Sequence, residues 1–421
     1  MMSTVPTTEN LEATNQPFSG DADGKEVVDL SFKSEALGVP AEQGYGWPQL
    51  EFGETIGREQ RYTIARKLGW GMHSSTWLAR DTVLDKFVAI KVLTGYTTKM
   101  YERGVTWEAD ALRLLSYTPQ SKYCVELLDE FTIKGRGSAG SHLCFAMPFY
   151  GGDTKALLKS RNSPFPLPLA KRIILHLLRG IAFSHERGIV HTDIKLDNIL
   201  FTTSATTEDI ERWTQSDPPR RNPPEMSPDG VMQSAISQPM KALSEQEALR
   251  ATFVLSDFGC SQPSELHDDR RITSLLLRAP EVLLGGKWDT PADIWTFGCL
   301  VYEIITTRPF FRYKRNQVYD FSEMANLLYQ MMLKTGDVFR AEQLSVWPLA
   351  IEYFQPENCY LKKEPKIFYF TMEDNIAQHK LLPDDELRPA SDFLRRCLRL
   401  NPEERVTAKD LLQDKWLQGV D

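Results

Sequence analysis

With 421 residues, 42% of them hydrophobic and 25% charged, the chain has an ordinary globular composition and enough length for two or more packed units. The formal charge of −8 is concentrated in residues 1–45, where eight acids face only Lys25 and Lys33, and the nearly neutral remainder gives no support for nucleic-acid binding driven by net charge. Six scattered cysteines, no leader pattern and no apolar stretch long enough for a bilayer argue against a disulfide framework, a zinc site and a membrane span; a reduced cytoplasmic or nuclear protein is expected.

Residues 1–45 are rich in Thr, Glu, Ser and Gly, lack periodicity, and read as a disordered acidic tail. From RYTIARKLGWGMHSSTWLARD to FVAIKVL, β-branched and aromatic runs broken by Gly and Asp predict an antiparallel sheet. TWEADALRLLS then predicts a helix with Trp107, Ala111, Leu112, Leu114 and Leu115 apolar. Beyond HLCFAMPFYGG the chain turns helical. Residues 168–187 open with Pro168, align Ile173, Ile174, Leu177, Leu178 and Ile181 on one face, and stop at Gly188. Residues 202–250 are Pro/Ser-rich and polar, and read as an insert rather than a layer of the core. RATFVLSDFG resumes as a strand, and helical periodicity dominates from Pro291 to Trp416. The plan is a small β-rich lobe followed by a larger α-rich lobe that carries an insert.

Residues with chemical potential fall at the joints of this plan. Gly69 and Gly71 lie between two strand-like runs and would let a hairpin backbone approach anionic oxygens, although glycines are common in hairpin turns. VAIK puts Lys91 at the end of an apolar strand, where it must reach water or meet an anion. Glu108 on the next helix is a candidate partner for that lysine, and Asp110 is its rival. In IVHTDIKLDNILF, Asp193 can accept a hydroxyl proton, Lys195 can neutralise a phosphoryl group, and the Asn198 amide oxygen can ligate a hard metal ion. LSDFG adds Asp257 beside a Phe-Gly turn, well placed to chelate magnesium. Either segment alone could be a polar turn. The ordered set of GxG, VAIK, helix Glu, DxKxxN, DFG and APE is not a chance pattern.

Over roughly residues 60–418 these motifs resemble the eukaryotic protein kinases. The resemblance implies the α+β, bilobal protein kinase fold, with residues 46–150 as the β-rich small lobe and hinge. Residues 151–421 become the larger helical lobe, with a spacer insert at about 202–250. ATP and Mg2+ are the implied cofactors. Leu68, Gly69, Trp70, Gly71, Thr76, Ala89 and Lys91 would surround the nucleotide, with Met147 as gatekeeper and Pro148, Phe149 and Tyr150 as the hinge. Lys91 would contact the α/β-phosphates and pair with Glu108, and Asp193 would be the catalytic base. Lys195 would neutralise the γ-phosphate, while Asn198 and Asp257 would hold the metal. Glu281 would pair with Arg405, and Asp293 would anchor the catalytic-loop backbone.

Within the kinases, KLGWGMHSSTWLARD, the threonine of HTDIK and the position of the insert resemble the SR-protein kinase family. That resemblance implies Arg/Ser-rich protein substrates and an acidic docking surface, for which EMANLLYQMM, MEDN and LPDDELRP supply acids. There are departures. Ser74 replaces the third glycine, Pro148 removes a hinge donor, and TSLLLRAPE lacks the aromatic residues usual before Arg278. Ser274 aligns with the residue that hydrogen-bonds the catalytic Asp, with a turn or capping serine as the alternative. His191 and His185 read as structural hydrogen-bonding groups, and Cys260 as a packed thiol with modification as the alternative. Thr192 stands where an arginine would recruit a phosphorylated activation segment, so no such phosphate is expected to be needed. The leading reading is an active, monomeric Ser/Thr kinase for protein substrates, without direct nucleic-acid or membrane partners. A pseudokinase or scaffold is the alternative, disfavoured because Lys91, Asp193, Asn198 and Asp257 are all present.

Overall fold

The alternating runs at the start of the chain form a six-stranded antiparallel sheet in the computed structural model, which describes residues 34–161, 163–241, 243–265, 272–366, 368 and 370–420. Its strands are β1 (Thr55–Ile56), β2 (Tyr62–Trp70), β3 (Ser74–Asp81), β4 (Lys86–Leu93), β5 (Asp129–Lys134) and β6 (Ser141–Pro148), in the spatial order β1-β2-β3-β4-β6-β5. Two helices, α1 (Gly95–Glu102) and α2 (Glu108–Ser116), connect β4 to β5. The pleat of β4 sends Val88, Ile90 and Val92 into a core on one face, and turns Ala89, Lys91 and Leu93 to the other.

The helical lobe begins with β7 (Gly152–Asp153), α3 (Thr154–Ser160), α4 (Leu167–His185), β8 (Ile189–Val190) and β9 (Ile199–Phe201). The expected apolar face of α4 is fully buried at Ile173, Ile174, Leu177, Leu178 and Ile181. An insert follows, with α5 (Thr207–Ser216), β10 (Glu225–Ser227), β11 (Gly230–Met232) and α6 (Glu245–Ala248). The chain returns through β12 (Phe253–Leu255) and β13 (Gln262–Pro263), so that β9 lies between β12 and β7, and β8 pairs with β13. The remaining helices are α7 (Pro280–Leu283), α8 (Thr290–Thr306), α9 (Glu323–Thr335), α10 (Ala341–Val346), α11 (Ala350–Tyr353), α12 (Met372–Ala377), α13 (Asp384–Cys397) and α14 (Ala408–Leu411).

The apolar stretch IWTFGCLVYEII is the buried α8, which packs on α4 and α13. Among the described residues no helix is long and apolar enough to cross a membrane. Glu281 and Arg405 form the expected pair, bidentate at 2.6 and 2.7 Å with both side chains fully buried, tying α7 to the C-terminal end of the lobe.

Two boundaries need correction. The disordered tail was expected to reach residue 45; residues 1–33 lie outside the described residues, but 34–45 are packed, with Ala36, Leu37 and Ala41 buried. The composition concealed Glu35, which enters the small lobe as the buried ion-pair partner of Lys67. The insert, too, is more than a polar excursion. Ala235 joins the core on the sheet's outer face, Gln238 N–H donates to the Lys67 carbonyl at 2.9 Å, and Arg221 reaches Glu51 at 2.7 Å. Arg66 lies over the Trp213 ring of α5, 4.1 Å from its centroid. The outer face of the sheet is therefore covered by two segments distant in sequence.

Removing one member of a buried ion pair leaves an uncompensated charge. Lys67→Ala is expected to destabilise the protein by about 3–5 kcal/mol in urea unfolding, whereas the double variant Lys67→Met, Glu35→Leu should recover most of that loss. Equal stability of Lys67→Ala and the parent would show that the N-terminal segment is not fastened there.

Candidate active site

Strand register assembles one wall of a cleft. Gly69 lies opposite Thr76, Thr76 opposite Lys91, and Ala89 opposite Met147, which brings these residues onto neighbouring strands near the half-buried Leu68. At the turn between β2 and β3, Gly71 N–H donates to the Ser74 carbonyl at 2.9 Å. The tip is latched from below by Thr94 N–H, which donates to the His73 carbonyl at 2.9 Å. Sequence reasoning missed that latch, because neither Thr94 nor His73 belongs to a recognisable spacing. The Trp70 indole packs edge to face with Trp47 with ring centroids 5.5 Å apart, which leaves its backbone to the loop. At the hinge, Pro148 ends β6 opposite Val88, and Phe149 stacks on Trp213 of the insert at 6.3 Å, beside Tyr150.

Three charged groups meet beneath this wall. Lys91 pairs with Glu108, and its Nζ lies 2.8 Å from Asp257 Oδ1. The rival Asp110 is engaged elsewhere, with Arg113 at 2.8 Å. Burial alone would lower Lys91; Asp257 and Glu108 outweigh it and push the ammonium above its ordinary value. Lys91, with smaller help from Lys195 and His191 and against burial, holds Asp257 well below the usual carboxylate range. A Cβ on Gly259 would lie 3.2 Å from Asp257 Oδ1 and 3.5 Å from Glu108 Oε2, so a glycine lets the turn close against these groups.

The loop between β8 and β9 holds the remaining predicted residues. Asp293, buried on α8, accepts from His191 N–H at 2.7 Å, Thr192 N–H at 2.9 Å and the His185 ring at 3.0 Å. His191 Nδ1 accepts from Asp193 N–H at 3.2 Å, so its Nε2–H donates to the Ser256 carbonyl at 2.9 Å; this is the structural role expected for it. Lys195 lies 2.7 Å from Asp193 Oδ2. Burial lowers Lys195, and Asp193 more than compensates, so its pKa is raised. Asn198 Nδ2 donates to the Asp193 carbonyl at 2.8 Å and to Asp193 Oδ2 at 3.1 Å, which turns its amide oxygen away from that residue. With Asp257 this leaves hard oxygen donors suited to Mg2+. Among the described residues no group of three or more His, Cys, Asp or Glu could hold a metal, so such an ion would draw further ligands from phosphate oxygens.

The activation segment is described only in part, since residues 266–271 lie outside the described residues. Its link to the catalytic loop is Thr273, not Ser274: Thr273 Oγ1 donates to the Thr192 carbonyl at 2.7 Å, while Ser274 is exposed and caps nothing. Thr192 and Thr273 both have positive φ, 67° and 68°, a region costly for β-branched residues. Thr192 Oγ1 donates in turn to the Cys260 carbonyl at 2.7 Å, and Arg278 donates to the carbonyls of Ile272 and Thr273 at 2.9 and 2.8 Å.

The comparisons with known proteins decide the family. The protein kinase domain family matches residues 62–217 and 231–417. The chain belongs to that family. It is 28% identical to the serine/threonine-protein kinase SRPK of Physarum polycephalum, over 92% of this chain and 93% of the relative. It is 23% identical to protein kinase dsk1 of Schizosaccharomyces pombe, over 98% of this chain and 90% of the relative. A kinase-domain crystal structure matches with a TM-score of 0.61 at 20% identity, covering 89% of this chain and 99% of that chain, and this shares the fold alone. The protein is thus a serine/threonine protein kinase, distantly SRPK-like, and its kinase domain implies ATP and a divalent metal.

Cys260 follows the DFG turn of this kinase and is exposed, which corrects the expectation of a packed thiol. Desolvation by the protein atoms crowded around it, with the carboxylates Asp193 and Asp257 adding to it, pushes its thiol up to about 12. Alkylation of Cys260 by iodoacetamide, followed by peptide mass spectrometry, is expected to rise about tenfold per pH unit from pH 7 to 10, because the thiolate stays a minor species throughout. Levelling near pH 9 would mean an ordinary thiol.

Proposed function

We propose that the cleft is an active phosphotransfer site in which each matched residue takes the role implied by the kinase resemblance. Asp193 orients the acceptor hydroxyl and accepts its proton, and Lys195 neutralises the transferring γ-phosphoryl group. Lys91, held by Glu108, binds the α/β-phosphates, while Asn198 and Asp257 hold Mg2+, which when bound neutralises phosphate charge. The carrying observation is two hydrogen-bonded sets, Lys91 with Glu108 and Asp257 and Asp193 with Lys195 and Asn198, close enough that the Lys195 charge acts on Asp257. Lys195 and Asn198 both bind Asp193 Oδ2, leaving Oδ1 for the hydroxyl.

Activity without activation-segment phosphate is part of the same proposal. Thr192 has no charge to offer a phosphate; the bonds from Thr192 to Cys260 and from Thr273 to Thr192 fasten both ends of the segment to the catalytic loop, and Arg278 ties the segment's end to its own carbonyls, all through neutral acceptors. Arg/Ser-rich segments are the proposed substrates, on the strength of the SR-protein kinase resemblance. Glu303 on α8 lies near Lys155 and Asp197; burial raises its pKa, Lys155 opposes the shift and Asp197 adds to it. The acids proposed for docking are partly engaged elsewhere, Asp374 in a helix cap and Glu386 with Lys171 and Trp416.

In a γ-phosphate transfer assay, Asp193→Asn is expected to lose at least about 10²–10⁴-fold in rate, with ATP affinity by titration nearly unchanged. A fully active variant would sink the assignment. Phosphatase-treated protein should retain its activity, and loss that is regained on phosphorylation at Thr273 or Ser274 would refute the second proposal. Peptide arrays contrasting Arg-Ser, Ser-Pro and acidic contexts test the substrate class, with Arg-Ser expected to dominate.

A further inference from the structure

The loop joining α8 to α9 contains no acid between Glu303 and Asp320, yet it carries Arg308, Arg312, Lys314 and Arg315. All four are exposed, and none makes a salt bridge among the described residues. The nearest acid in sequence, Asp320, is already paired with Lys363 at 2.6 Å and senses Arg315 only as a further charge.

This loop is held in place by its backbone rather than by its charges. Arg312 N–H donates to Gln330 Oε1 at 3.0 Å, and Gln330 Nε2 returns a bond to the Arg312 carbonyl at 2.7 Å. Asn326 Nδ2 donates to the Lys314 carbonyl at 2.8 Å, and Lys334 binds the Phe310 carbonyl. Phe310 and Phe311 are buried beneath it. The fastening leaves the guanidinium and ammonium groups of the loop unengaged and turned to solvent on a fixed frame.

The charge of the cluster is felt by its neighbours. Burial and then Arg312 push Lys334 down to about 8, and burial followed by Arg308, Lys334 and Arg312 lowers His379. The C-termini of α8 and α9 favour nearby cations and account for Arg308 and Lys334. They do not account for Arg312, Lys314 and Arg315.

We propose that this loop docks a phosphorylated segment of a protein partner. Guanidinium groups bind phosphate bidentately, and fixed cations bind it without the entropy cost of ordering a loop. The proposal rests on the kinase reading only for the origin of the phosphate, which is the group such an enzyme attaches to protein hydroxyls. At 1.5 Å rise per residue, the end of α8 at Thr306, where this loop begins, lies about 20 Å along the helix from Asp293, which holds the catalytic loop; about six extended residues would span that length. A substrate phosphorylated at one site could then be held here while another hydroxyl is presented to Asp193. Residues 46–421 are nearly neutral overall, so the cluster has no broad basic surface around it to hold a long polyanion such as RNA.

The test is fluorescence anisotropy with the full-length Asp193→Asn protein and no ATP, so that binding is read without turnover. A labelled phosphoserine peptide is expected to bind at least about tenfold tighter than its unphosphorylated form, with a Glu-substituted peptide between them, and to weaken with added salt. The triple variant Arg312→Gln, Lys314→Gln, Arg315→Gln should abolish that difference while keeping the parent's melting curve. In the catalytically intact background it should raise KM for a primed peptide and leave kcat, and the KM of an unprimed peptide, unchanged. Undiminished phosphopeptide binding by the triple variant overturns the proposal, as does equally tight binding of an RNA of the same charge. A γ-phosphate transfer assay showing no turnover by the parent protein would instead defeat the kinase reading and leave the binding result standing.

Discussion

The site depends on one buried carboxylate. Asp293 projects from α8 and satisfies two backbone N–H groups and one imidazole at the point where the catalytic loop turns. Without those donors its charge would be stranded in the core, and without Asp293 the loop would have two unsatisfied amides. Helix position and loop conformation are therefore set together. The constraint is strong enough to hold Thr192 at φ 67°, a conformation that on its own costs on the order of 1–3 kcal/mol. Thr192 then passes the constraint on, to Cys260 through its hydroxyl and to Thr273 through its carbonyl.

A second layer of organisation lies above the loop. Lys91 is shared between Glu108 of α2 and Asp257 of the turn after β12, so strand, helix and turn converge on one ammonium group. At Gly259 a side chain would press on the Asp257 carboxylate, which would have to give by a few tenths of an ångström. Charge neutralisation and backbone geometry thus reinforce each other in the cleft, and the separate lobes meet at groups that each need a partner from elsewhere in the chain.

Much of this was legible in the sequence because chemistry and spacing coincide. Lys91, Asp193, Asn198 and Asp257 stand at offsets that few other architectures require, and α4 and α8 carry unmistakable apolar faces. What escaped was long-range and compositionally disguised. Glu35 looked like one more acid in a polar tail, and only its burial against Lys67 reveals its role. Ala235, in a Pro/Ser-rich stretch, gave no hint that it completes a core some 150 residues earlier in the chain. The choice of Thr273 over Ser274 turned on a backbone dihedral, which no side-chain pattern encodes. Trp70 stands among loop residues, and no spacing there signals that its ring has an aromatic partner in Trp47.

The stacking of Phe149 on Trp213, and the cover that the insert provides for the sheet, together change how the lobes are connected. Covalently, one peptide strand at the hinge joins small lobe to large. Through the insert, the large lobe reaches back past the hinge and grips the small lobe from outside, making a second, non-covalent bridge beside the first. Any motion of one lobe against the other would have to strain or break these insert contacts as well as bend the hinge.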